Sequence, residues 1–106
     1  MYVNIIKSYR DVVAVCDKEL LGKKFEELFK GNIRQLDVKE NFYRSSPEAE
    51  MATEEQVLEI INLMAAEDAT FNIVGKKSVS VALKSGIITK ESVGKVKGIP
   101  FALVLI

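Results

Sequence analysis

Any chemistry in this sequence has to be built without histidine. None occurs among the 106 residues, and Cys16 is the single cysteine. A Ser-His-Asp or Cys-His nucleophile is therefore excluded, as is a metal site made of histidines or several cysteines. General acid-base work would fall to carboxylates, lysine or tyrosine. The densest carboxylate group, Glu54, Glu55 and Glu59, falls on what the apolar period marks as the solvent face of a helix, where charges serve solvation. Cys16 closes an apolar run and reads as a neutral buried thiol. The balance leans away from an enzyme and calls for no cofactor and no metal.

One stretch, residues 70–86, offers a sharper possibility. Phe71, Ile73 and Val74 supply a short strand, Gly75 turns the chain, and Val79, Ala82 and Leu83 then recur at helical offsets until Gly86. Gly86 suits the left-handed position past a helix, with Ile87 packing back on the last turn. A strand that feeds a helix through glycine leaves free N–H groups at the helix start, and Lys76 and Lys77 would reinforce an anion placed there. Asn72, Gly75, Lys76 and Lys77 are thus candidate anion or ligand contacts. A nucleotide P-loop is excluded, because Thr70 stands where its first glycine belongs and Lys77 where its hydroxyl belongs. The competing structural reading is that Gly75 only turns the chain while Asn72 pins the turn by a side-chain hydrogen bond.

The formal net charge of zero hides a segregation. Residues 1–44 carry nine basic and seven acidic side chains, residues 45–68 none and seven, and residues 69–106 six and one. Lys84, Lys90, Lys95 and Lys97 join Lys76 and Lys77 as candidate nucleic-acid contacts, provided they converge on one face. Arginine is absent from that third and no aromatic ladder accompanies it, so weak backbone binding is the expected mode. The alternative is that these lysines are scattered over the surface and partly paired with the acidic helix.

The elements that must hold these residues follow from period and punctuation. Two apolar runs, residues 2–6 and 12–16, form an antiparallel hairpin, the second covered on both faces. Asp17 is placed as the N-cap of a short first helical turn. Leu20, Leu21, Phe25, Leu28 and Phe29 then carry helical offsets, weakened by Gly22 and ended by Gly31-Asn32. Residues 33–39 make a third strand with Arg34, Leu36 and Val38 on one parity, and residues 40–43 a single helical turn. Residues 44–52 form an exposed, mobile connection. Thr53 and Gln56 make a capping box ahead of the clearest helix, lined by Val57, Leu58, Ile61, Met64 and Ala65. Thr89 and Ser92 bound a capped turn, residues 93–97 a strand, and the apolar run from Phe101 to the end a strand inside the sheet or, alternatively, at a subunit interface.

The order does not alternate regularly. It predicts an α+β domain over residues 1–106, a mixed or antiparallel sheet with two to three helices packed on one face. No apolar run approaches the roughly 20 residues of a membrane helix and no secretion signal opens the chain, so a cytoplasmic protein with no membrane partner is expected.

Ala14-Val15-Cys16-Asp17, Glu19-Leu20-Leu21-Gly22-Lys23, Asn72-Ile73-Val74-Gly75 and Gly98-Ile99-Pro100 with Ala102 resemble the archaeal domain-of-unknown-function family 424 over nearly the whole chain. The resemblance implies a small α+β protein and assigns no reaction. Family sequences often place histidine after the Gly-Ile-Pro proline, whereas this chain has Phe101, and the 44–51 connection is longer than the family's glycine-rich turn. The function expected is a binding module contacting RNA or a ribonucleoprotein. The alternatives are a protein or enzyme taking a small anionic ligand at Gly75, and a homo-oligomeric structural subunit.

Overall fold

In a computed structural model, which describes residues 1–105, two parallel strands form the spine. They are β2 (Val12–Cys16) and β5 (Thr70–Val74), in register from Val12 opposite Thr70 to Cys16 opposite Val74. Outside β2 lies β1 (Tyr2–Ile6), and outside β5 lie β7 (Ile99–Val104) and then β6 (Gly94–Val96), all antiparallel to their neighbours. The order is β1-β2-β5-β7-β6. Parallel strands belong where both faces are covered, and Val13, Ala14, Val15 and Cys16 are all fully buried.

Alternation divides the core in two. On one face Val13, Val15, Phe71, Ile73 and Ala102 pack with Val57, Ile61 and Met64 of α2 (Glu54–Ala66) and Val79 and Ala82 of α3 (Lys76–Ser85). On the other, Ala14, Cys16 and Val74 meet Leu20, Val38 and Tyr43. The capping box that opens α2 is present in both halves, Thr53 Oγ1 accepting from Gln56 N–H at 3.1 Å and Gln56 Oε1 from Thr53 N–H at 2.9 Å. Gly86 ends α3 at φ +85°, and Ile87 is half-buried against the core.

The second face departs from expectation. Residues 20–29 are not a helix: after a 3-10 turn at Lys18–Leu20 they form β3 (Lys24–Phe29), paired antiparallel with β4 (Asn32–Asp37) as a separate hairpin. Gly22 stands at φ +80° and breaks any helical run there, and Lys30 (φ +50°) with Gly31 (φ +79°) makes the two-residue turn that hairpins favour. A second such turn, Lys97 (φ +53°) and Gly98 (φ +76°), joins β6 to β7. Helices α2 and α3 therefore share one face, while the hairpin and α1 (Glu40–Tyr43) cover the other, α1 tied to β1 by the Asn4 amide donating to Phe42 C=O at 2.9 Å. The C-terminal run enters the sheet as β7, between β5 and β6. Leu103 and Leu105 are exposed, and the end of the expected strand, at Ile106, lies outside the described residues. Among the described residues no helix is long and apolar enough to cross a membrane.

Candidate functional site

The carboxyl ends of β2 and β5 lie side by side, and each turns away in a different direction, β2 into the 3-10 turn and β5 into α3. Open sheets form their crevices where neighbouring parallel strands diverge in this way. The opening here is a cleft of about 300 Å3 lined by Leu20, Ile99 and Pro100, with Lys76 and Lys77 and the carboxylates of Asp17 and Glu19 also on its walls.

Asp17 governs this end. It is 3% exposed, and its backbone N–H continues the ladder by donating to Val74 C=O at 3.1 Å. Its side chain does not cap the turn that follows it. Instead the carboxylate reaches across to α3, accepting from Lys77 N–H at 3.1 Å, Ser78 N–H at 2.8 Å and Ser78 Oγ at 2.7 Å. A carboxylate at a helix start satisfies free amides and opposes the positive end of the dipole. Gly75 permits the approach: at φ +109° and ψ 156° it occupies a region essentially reserved for glycine. A Cβ built there would sit 2.3 Å from Asp17 Cγ.

Two of the amides that the sequence offers to an external anion, those of Lys77 and Ser78, are thus held by an internal one. Gly75 is buried, its N–H donating to Pro100 C=O at 2.8 Å. Asn72 is half-buried on the hairpin side of the sheet, and among the described residues no hydrogen bond joins its side chain to the turn; Asp17 does the pinning. An anion arriving at the cleft meets the exposed side chains of Lys76 and Lys77 and, on the same walls, the exposed carboxylate of Glu19.

The register places more lysines at this end. Lys95 opposes Pro100, the residue hydrogen-bonded to Gly75, and the Lys97-Gly98 turn follows directly. Lys95 and Lys97 are exposed. Lys84 is not brought there: it lies eight residues along α3, about 12 Å down the axis, and faces Glu54 of α2 at 3.8 Å. Lys90 lies in the 3-10 turn between α3 and β6, outside the set that the register joins. At the other end of β2 and β5 stand Asp11, Glu67 and Asp68, with Lys7 on Asp11 at 3.1 Å.

Cys16, next to Asp17, faces the other way into the second core, where burial pushes its thiol from 9.0 up to about 12. Burial likewise raises Tyr43 from 10.0 to about 12. Both groups keep their protons in the fold over a range where the unfolded chain releases them. Stability from these neutral groups is therefore complete below about pH 9 and lost as pH rises toward 12. The urea midpoint is expected to fall steadily across that window, and Cys16→Ala to flatten the fall; a midpoint independent of pH up to 12 would contradict the burial of these protons.

A wider cleft of about 530 Å3 lies between the end of β4 and α1, with Asp37, Lys39, Glu40 and Arg44 on its walls. Its charges are mixed and Arg44 is bound to Glu40, so it presents no field of one sign. Among the described residues no group of histidine, cysteine and carboxylate side chains is assembled to hold a metal ion.

The fold is similar to the crystal structure of an uncharacterized conserved protein from Methanopyrus kandleri, with a TM-score of 0.78 over 97% of this chain and 88% of that one, at 24% sequence identity. A comparison with curated proteins returns no match. The family model described as a protein of unknown function, DUF424, matches residues 6–106, a span that holds both the Asp17 cap and the Lys97-Gly98 turn. The chain belongs to the DUF424 family.

Proposed function

We propose that this protein is a non-enzymatic binding module that grips RNA, free or within a ribonucleoprotein, by the end of the sheet where β2 and β5 terminate. The observation that supports this reading is the alignment of Lys76, Lys77, Lys95 and Lys97 at that end by the β5-β7-β6 register. Four exposed ammonium groups on rigid elements suit a phosphate backbone, and binding through them carries the salt dependence of counterion release. Asp17 contributes indirectly, by fixing the start of α3 and with it the first two lysines.

Charge reversal tests the reading. Fluorescence anisotropy with labelled RNA is expected to show at least tenfold weaker binding for Lys76→Glu with Lys77→Glu, and a similar loss for Lys95→Glu with Lys97→Glu. Lys84→Glu with Lys90→Glu, the same change in charge placed on the flank of α3 and in the turn after it, is expected to stay within about twofold of the parent. Equal losses from all three variants would reduce the effect to net charge and remove the site.

The apolar lining of the 300 Å3 cleft favours a second reading, a small ligand with one anionic group held between Leu20, Ile99 and Pro100 and the lysine side chains. A panel of phosphorylated metabolites that leaves the melting temperature unmoved would dismiss it.

A further inference from the structure

We infer that the RNA taken by this end is single-stranded, and that one of its bases stacks on a platform made by Phe29 and Arg34 at the tip of the β3–β4 hairpin; this rests on the RNA reading above. Phe29 is 46% exposed. The Arg34 guanidinium carbon stands 4.9 Å from its ring centroid and Lys30 Nζ 5.4 Å. A planar guanidinium stacked over an aromatic ring offers the outer plane of that pair to a base, the ring beneath holding the guanidinium flat, while the charge attracts the neighbouring phosphate. Isolated on the surface, such a cluster would mean little.

Its position gives it meaning. Glu27 and Arg34 are opposite one another in the hairpin, and Phe29, two residues past Glu27, shares their face by alternation. The Glu27 carboxylate accepts from the Lys97 backbone N–H. The face that bears Phe29 and Arg34 is therefore the face set against the Lys97-Gly98 turn, about two residue rises from it, or roughly 7 Å along β3. The hairpin thus brings Arg34, Lys30 and the aromatic ring to the side of the Lys97-Gly98 turn, with the Glu27 carboxylate between them engaged by the Lys97 N–H. Phosphates alone would be served by lysines, without a ring. A duplex keeps its bases stacked inside and offers none to the platform, so the arrangement fits a single strand.

The probes are labelled ten-nucleotide oligo(U), the matching oligo(A) and a ten-base-pair RNA duplex, titrated into the intact protein. Phe29→Ala is expected to weaken single-strand binding about tenfold and leave the duplex unchanged. Phe29→Leu, which keeps the apolar bulk at the hairpin tip, is expected to behave like Phe29→Ala. Arg34→Lys keeps the charge but not the plane, and is expected to lose about fivefold on the single strands only. If Phe29→Ala and Phe29→Leu bind the oligonucleotides like the parent while Lys76→Glu with Lys77→Glu does not, the platform is overturned and the lysine site stands. Equal loss on single strand and duplex overturns the platform as well. Failure of the parent to bind any of the three probes removes both proposals together.

Discussion

Gly75→Ala is expected to destabilise the protein by about 4 kcal/mol and to lower its melting temperature by about 20 °C. Two separate costs meet at this residue. A backbone held at φ +109° and ψ 156° strains any residue with a Cβ by about 1 to 3 kcal/mol. The new methyl would also lie 2.3 Å from Asp17 Cγ and 2.6 Å from both carboxylate oxygens, a space that protein atoms do not share. Asp17 must swing away from α3 toward the cleft that it lines, and the Lys77 and Ser78 amides then lose their acceptor at a cost of about 1 to 3 kcal/mol. Chemical denaturation measures the sum. Placed on an Asp17→Ala background, Gly75→Ala is expected to cost only about 2 kcal/mol, the backbone part alone. Equal costs on the two backgrounds would show that the side chains do not meet.

Asp17→Ala is expected to cost about 3 kcal/mol by itself, since it removes the acceptor of three hydrogen bonds and the negative charge at the start of α3. Asp17→Asn keeps the shape and one oxygen and is expected to cost about half as much. The test specific to this arrangement is a double-mutant cycle with Ser78→Ala, whose coupling is expected at about 1 kcal/mol because the hydroxyl has Asp17 Oδ1 as its partner at 2.7 Å. Additive costs would place the two side chains in separate roles. Asp17→Ala also bears on the proposed function: with α3 uncapped its first turn frays, Lys76 and Lys77 lose their fixed positions, and, if the protein binds RNA as proposed, the affinity is expected to fall although no cation has been removed.

Much of the fold is legible because its punctuation is local. The box at Thr53 and Gln56, the glycine at the end of α3 and the apolar runs of β1 and β2 each act within a few residues, and each stands where its pattern puts it. The β3–β4 hairpin is illegible for a numerical reason. Leu21, Phe25 and Phe29 are spaced by four, a multiple of the strand period and close to one helical turn, so the same spacing serves either structure. The deciding signals are Gly22 and the Lys30-Gly31 pair, both at positive φ, and the recurrence of Lys-Gly between Val96 and Ile99 shows how this chain makes its tight turns.

The site is less legible. Asp17 precedes a turn that it has the right side chain to cap, yet the groups it binds lie 60 and 61 residues further along. Only the parallel pairing of β2 with β5 brings them together, and no local pattern encodes that pairing. The Gly75-Lys76-Lys77 sequence signals an anion at a helix start, and an anion is there; it belongs to the chain. The lysine segregation is legible as a count, but which lysines share an end depends on the pairing of β5, β7 and β6 and on the length of α3, which carries Lys84 away to Glu54.

Backbone amide chemical shifts followed during titration with oligo(U) test directly whether this end of the sheet is the binding surface. Perturbations are expected to concentrate at residues 75–77, 94–98 and 29–34 and to shrink as salt is raised, with the flank of α3 around Lys84 and the outer face of α2 unmoved. Perturbations centred on α2 or on the Asp11 and Asp68 end, or spread evenly over every lysine, would contradict binding at this end.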